Sequence, residues 1–308
     1  MRMAAQGLSA LGAEDVAAAA TRCAGIQAQD LLASRLAVRA RAGHSTEAQV
    51  ARACDEDRSV VRTWLMRGTL HMVAAADVRW LVRLLGPSVA ARFQRRRDQL
   101  GLDPALCERL LEKLPGVLAG RSLSRRGLVA ELAQAGVRLD PSGQAAAHAM
   151  VFAAAAGVFC RGPDREVVGE PTYVLLNDWL TRAKEQRPVE PEVELPRRYF
   201  VSFGPAGVED FAAWSGLALP AARAACSALG LVTVDCDGRR FSWRESAGRV
   251  QAGGFCLGST PTWSATATAR CCAMQPRRER STPVAGSIPA SSMTRAPGRQ
   301  LAVAPPVR

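Results

Sequence analysis

The sequence predicts a mainly α-helical protein with a small β component, in which short helices followed by a β-hairpin recur along the chain ahead of a disordered tail. Three observations carry this reading. Apolar residues form 48% of the 308 residues but aromatics only 5%, so alanine fills much of the apolar count, and alanine-rich amphipathic runs favour helix. The helical runs are punctuated by short β-prone segments. From about residue 246 the apolar periodicity stops, and Ser, Thr, Pro, Gly, Ala and Arg dominate. Such a composition cannot bury enough surface to order itself.

Taken in order, "AEDVAAAATRCAG" reads as a helix, and "LLASRLAVRARAG" as a second helical run. "TEAQVARAC" is another helix, capped by Ser45 or Thr46. "GTLHMV", from Gly68, is short and β-prone. "AADVRWLVRLLGP" is a helix expected to end at Gly86-Pro87. These residues form a first unit, 1–100. In a second, 101–185, "SLSRRGLVAELAQAG" runs from a Ser cap to Gly136, and "SGQAAAHAMVFAAAAG" from Ser142 to Gly157. "VFCRG" and "PTYVLL" then form a hairpin. In a third, 190–245, "LPRRYFVSFG", "GVEDFAAWSGL" and "LPAARAACSALG" are helices, and "LVTVDCDGRRFSW" folds around the turn dipeptide Asp237-Gly238.

Helices closed by a hairpin describe a winged helix, a helix-turn-helix variant, and the chain is expected to hold tandem winged-helix repeats. If each unit read DNA alone, its second helix should be basic. Yet "LPAARAACSALG" carries only Arg223, and "SGQAAAHAMVFAAAAG" no arginine at all. The repeats are therefore expected to build a scaffold that cups a duplex.

The formal charge of +12 is uneven. Residues 246–308 hold eight arginines against Glu279, a net +7, which leaves +5 for the body. A mildly basic body is compatible with a polyanion partner. The nine cysteines form no Cys-x-x-Cys pair, and the three histidines are widely spaced, so reduced buried thiols are expected and no metal. No signal peptide and no membrane span are read, which predicts a cytoplasmic location. Arg95, Arg96 and Arg97 read as a solvated helix face, and Trp64, Trp80, Trp179 and Trp214 as core.

"CAGIQAQD", Cys23 to Asp30, poses the chemical question. Two amides, Gln27 and Gln29, sit among apolar residues, where an unpartnered amide is costly. On a helix, residues two apart point about 200° apart; in an extended strand they point the same way. Gly25 offers a helix break just upstream. A shared task for the glutamines therefore requires a non-helical segment. The alternative is that both amides cap backbone groups at a helix end.

"GIQAQD", "SRLAVRAR", "VVRTWLMRGTLHMVAAADVRWL", "TYVLLNDWL" and "RRYFVSFGPAGVEDFAAWSGL" together resemble, in order, the winged-helix family of the AlkZ and YcaQ bacterial DNA glycosylases. The resemblance covers roughly residues 5–245. It implies tandem winged helices that cup double-stranded DNA, and hydrolysis of the N-glycosidic bond of alkylated purines, cross-linked ones included. The family's catalytic motif falls on Gln27, Ala28 and Gln29, the Gln-x-Gln form of the AlkZ-like branch. Arg35, Arg67 and His71 lie in family-like segments as candidate contacts to phosphate or lesion. The resemblance implies no metal and no cofactor, and a monomer is expected. Residues 246–308 stand where the family continues into a β-barrel-like domain.

The chemistry is consistent with two amides. Cleavage passes through an oxocarbenium-like state. A cationic 7- or 3-alkylpurine leaves readily, so strong acid catalysis is dispensable. Two amides can orient a water towards the anomeric carbon, a positioning effect. The competing expectations are a non-catalytic winged-helix DNA-binding regulator and an inactive truncated member of the same family.

Overall fold

The computed structural model describes residues 2–8, 12–140, 143–163, 171–181, 183–236 and 239–243. The expected disordered tail at 246–308 lies outside them. So do Ser142 and the Asp237-Gly238 turn. The described chain is mainly helical with a small β component, as the composition predicts.

The first stretch runs α1 (Arg2–Ala5), α2 (Val16–Arg22), β1 (Ile26–Gln27), α3 (Leu31–Arg41) and α4 (Glu47–Asp55). It continues with β2 (Val60–Trp64), β3 (Leu70–Ala74), α5 (Val78–Arg92) and α6 (Gln94–Gln99). Thr46 caps α4 through a capping box with Gln49. Of β2 and β3, only β3 carries a β-prone signal in the sequence. The first four residues of β2 are all buried, so no period-two signal marks it. α5 does not stop at Gly86-Pro87. Leu85 and Val89, on either side of Pro87, are 1% and 3% exposed, and their burial holds the helix through the missing hydrogen bond. Gly86 permits a close crossing: a Cβ there would lie 2.1 Å from the Ala155 carbonyl oxygen.

The second stretch holds α7 (Pro104–Leu118), β4 (Leu123–Ser124), α8 (Arg125–Gln134), α9 (Gln144–Ala155), β5 (Phe159–Arg161), β6 (Thr172–Leu175) and α10 (Leu176–Trp179). α7, left unassigned in the sequence reading, has the Asp103 cap and Pro104 start of a standard helix and buries Leu110, Leu114 and Leu118. Ser124 caps α8 and Gly136 ends it with φ +87°, both as expected. α9 is packed on Ala149, Met150, Ala153 and Ala154, in keeping with its lack of arginine. The third stretch is α11 (Pro191–Phe203), α12 (Val208–Ser215), α13 (Leu219–Ser227), β7 (Val232–Cys236) and β8 (Arg239–Trp243).

The first two stretches share one antiparallel six-stranded sheet, ordered β1-β3-β2-β5-β6-β4. The seam is the β2–β5 pair, in register at Arg62 and Arg161. There Trp64 stacks on Tyr173 with rings 2° apart in plane, and the Arg161 guanidinium lies 5.0 Å from the Trp64 ring. The third stretch is tied in by a buried ion pair. Arg198 of α11 donates to Asp77 at 2.6 Å, and Asp77 also accepts from Trp80 Nε1 at 2.9 Å. Trp80 and Trp179 are core residues, as expected, and Cys23, Cys54, Cys107, Cys160 and Cys226 are buried free thiols. Arg97 corrects the charge-run reading. Unlike exposed Arg95 and Arg96, it is buried, donates to the Ala90 carbonyl at 2.7 Å and lies over the Phe152 ring.

Candidate active site

The Gln-x-Gln segment is extended. α2 ends in a tight turn in which the Gly25 N–H bonds the Ala20 carbonyl at 2.9 Å, and Gly25 takes φ +122°. The positive φ favours glycine, and a Cβ there would also crowd Met66 Cε at 3.2 Å. β1 then pairs with β3, Ile26 opposite Met72 and Gln27 opposite His71. Ala28 N–H bonds the Leu70 carbonyl at 2.8 Å, and Asp30 starts α3 by accepting from Ala33 N–H at 2.7 Å. Burial alternates along the segment: Ile26 and Ala28 face inward, Gln27 and Gln29 outward. The two amides share one side, as the period-two argument requires.

They also touch. Gln27 Nε2 donates to Gln29 Oε1 at 2.6 Å. That bond leaves the Gln27 carbonyl oxygen as an acceptor and the Gln29 amide N–H groups as donors for a third group. An acceptor and a donor side by side can hold a water in one orientation.

His71 lies directly across from Gln27, and Thr63 of β2 directly across from His71. Directly paired residues of an antiparallel ladder share a face, so a polar row runs from the sheet edge inward. His71 is 3% exposed. Burial, reinforced by the Arg67 charge and opposed by its bond to Thr69, lowers its pKa to about 4. The imidazole is therefore neutral at physiological pH. A carbonyl can only accept, so Nδ1–H donates to Thr69 O at 2.8 Å and Nε2 remains an acceptor. Thr63 Oγ1 is buried with no hydrogen-bond partner among the described residues. Thr63 carries no signal in the sequence, because β2 shows no alternation.

The two arginines are committed to protein partners. Arg35 is ion-paired with Glu47, which fastens α3 to α4. Arg67, at φ +59°, donates to the Ala213 and Trp214 carbonyls at 3.3 Å, near the C-terminus of α12. With Tyr199, Phe203 and Trp214 it lines a cavity of about 420 Å³ that Gln27 and Gln29 do not line. Of the sequence-derived candidates, the structure brings together Gln27, Gln29 and His71.

The AlkZ-like DNA glycosylase family matches residues 20–254, which span the glutamine pair, the six-stranded sheet and the third stretch. The chain belongs to the AlkZ-like DNA glycosylase family. Its fold is similar to that of Streptomyces sahachiroi DNA glycosylase AlkZ, with a TM-score of 0.66 at 26% identity, over 79% of this chain and 67% of that one. It is also 28% identical over 249 residues to the Streptomyces sahachiroi interstrand DNA cross-link repair glycosylase, covering 77% of this chain. It spans 66% of that relative's length. The AlkZ-like resemblance read from the five motifs is thus the family that the match gives. Among the described residues no helix is long and apolar enough to cross a membrane.

Proposed function

We propose that this chain hydrolyses the N-glycosidic bond of alkylated purines in double-stranded DNA, acting as a monomer in the cytoplasm without metal or cofactor. Gln27 and Gln29 position the attacking water. The observation that carries this is the mutual amide bond on one exposed side of a two-residue strand, in the segment where the family match and the Gln-x-Gln motif coincide. The Gln27 carbonyl accepts a water proton while Gln29 donates to the water oxygen, which points a lone pair at the anomeric carbon. Neither amide can remove a proton, so the reaction depends on a leaving group that is already cationic. The name of the cross-link repair relative extends the proposed substrates to cross-linked purines. The three helix–hairpin stretches, at about 1–100, 101–185 and 190–245, are read as winged-helix units that hold the duplex. His71 supports Gln27 from across the ladder, and Arg35 and Arg67 approach phosphate by exchanging their present partners.

The test incubates a duplex carrying one 7-methylguanine with the wild type and with Gln27→Ala/Gln29→Ala, following free base by liquid chromatography and binding by fluorescence anisotropy. The double variant should lose release about a hundredfold or more while binding changes only a few-fold. Wild type that binds this duplex and releases no base would overturn the proposal in favour of a non-catalytic DNA-binding role.

A further inference from the structure

α3 turns two large apolar side chains outward. At about 100° per residue, Leu32, Leu36 and Arg39 fall within about 60° of one another, on the side opposite Ser34 and Val38. The inward side chains are a serine and a valine, each 0% exposed, and the Ser34 hydroxyl is satisfied by the Leu31 carbonyl at 2.7 Å. The outward ones are leucines, 63% and 58% exposed. Large exposed apolar side chains are rare elsewhere in the described residues: Met3, Val189 and Val232 complete the set. Two of the five therefore sit one turn apart on one helix, which begins directly after the glutamine segment at its cap Asp30.

A surface leucine pair next to a site implies an apolar partner, and the charges around it say which kind. Arg39 shares the leucine face and is exposed, while Arg35 flanks it, held by Glu47. An apolar centre with a basic border matches a DNA groove, whose base stack is apolar and whose walls are phosphate. An enzyme that acts on a base within a duplex can extrude it from the stack, and apolar side chains wedged between base steps unstack and kink a duplex. Four tryptophans are already committed elsewhere: Trp80 and Trp179 are core, and Trp64 and Trp214 pack into aromatic clusters.

We propose that Leu32 and Leu36 enter the base stack beside the lesion and hold the duplex open over the Gln27–Gln29 pair. The inference rests on the glycosylase reading for its role but makes a claim of its own, that binding unstacks a neighbouring base. The experiment places 2-aminopurine next to 7-methylguanine in a duplex and uses protein at saturation. Wild type and Gln27→Ala/Gln29→Ala should both raise the 2-aminopurine fluorescence. Leu32→Ala/Leu36→Ala should not, and its base release should fall about tenfold or more. Because both side chains are exposed, its thermal midpoint should match wild type, and Leu32→Met/Leu36→Met should restore both signals.

If the alanine variant keeps wild-type fluorescence and release, the wedge is wrong while the glycosylase reading stands. If wild type raises the fluorescence through these leucines but releases no base, the glycosylase reading falls and the wedge stands. Sedimentation showing wild type self-associated and the alanine variant monomeric would assign the leucines to a contact between copies and overturn the wedge.

Discussion

The buried imidazole of His71 makes a quantitative prediction about pH. Its ordinary pKa of 6.5 is lowered to about 4 in the folded chain, chiefly by burial. Between those values the unfolded chain binds a proton that the native chain refuses. Stability therefore rises with pH across this window and is lost as pH falls through it. From pH 7 to pH 5 the loss due to this one group is about 2 kcal/mol, at 1.36 kcal/mol per unit of displaced pKa. The comparison is with His71→Asn, whose side-chain N–H can still reach the Thr69 carbonyl but cannot titrate. Urea unfolding of both proteins at pH 7 and pH 5 gives four free energies. The wild-type advantage over the variant should shrink by about 2 kcal/mol at the lower pH. His148, whose pKa is also lowered by burial, is common to both proteins and cancels. An advantage that is unchanged between the two pH values would refute a neutral, buried His71. In the same frame, base release should show no ionisation assignable to His71 above about pH 5.

Other substitutions test the frame around the site. Asp77→Ala removes one of the two carboxylates on the buried Arg198 guanidinium, which keeps Glu194 at 2.7 Å, and should cost about 2–3 kcal/mol in denaturant unfolding. Gly86→Ala gains about 1 kcal/mol of helix propensity but drives a Cβ to 2.1 Å from the Ala155 backbone oxygen. Its unfolding free energy in denaturant should fall by a net of about 1–3 kcal/mol, because backbone cannot move aside as a flexible side chain would. Thr63→Val removes the partnerless buried hydroxyl at constant shape and should stabilise by about 1 kcal/mol in the same assay. A loss of base release without a loss of stability would instead show that the hydroxyl serves the site.

What the sequence discloses is local. Gly25 followed by Ile-Gln-Ala-Gln is enough to make an extended pair of glutamines one of two legible alternatives, because a glycine break and a period of two are properties of neighbours. The Thr46 and Ser124 caps and the β5–β6 hairpin were legible for the same reason. β2 was not: its first four residues are all buried, against α2 and α4 nearby and α9 from far along the chain, so its side chains carry no alternation. The persistence of α5 through Pro87 depends on α9, and the burial of Arg97 depends on Phe152 of that same helix. Thr63 and the commitment of Arg67 to α12 were hidden likewise, since each is fixed by a partner that only the fold supplies.

The placement of the glutamines explains why the proposed site can use amides at all. β1 is an edge strand of two residues, so one side of its ladder is open and its outward side chains meet solvent or substrate. Behind it, the row continues through neutral His71 to the uncharged Thr63 hydroxyl, with no carboxylate in register. A carboxylate in place of either exposed amide would be a stronger base, but it would titrate, and its charge would repel the phosphates of a duplex. Neutral amides avoid both effects and keep one geometry at every pH where the fold persists. The cost of that choice is basicity. A site built this way can direct a water but cannot activate it, so its selectivity must come from the leaving group. An alkylated purine carries a positive charge on the ring and supplies that departure; an unmodified purine does not. Converting Gln29 to the carboxylate in Gln29→Glu should therefore bring a pH dependence to base release that the wild type lacks. It should leave release from unmodified DNA at background, since a stronger base does nothing for a poor leaving group.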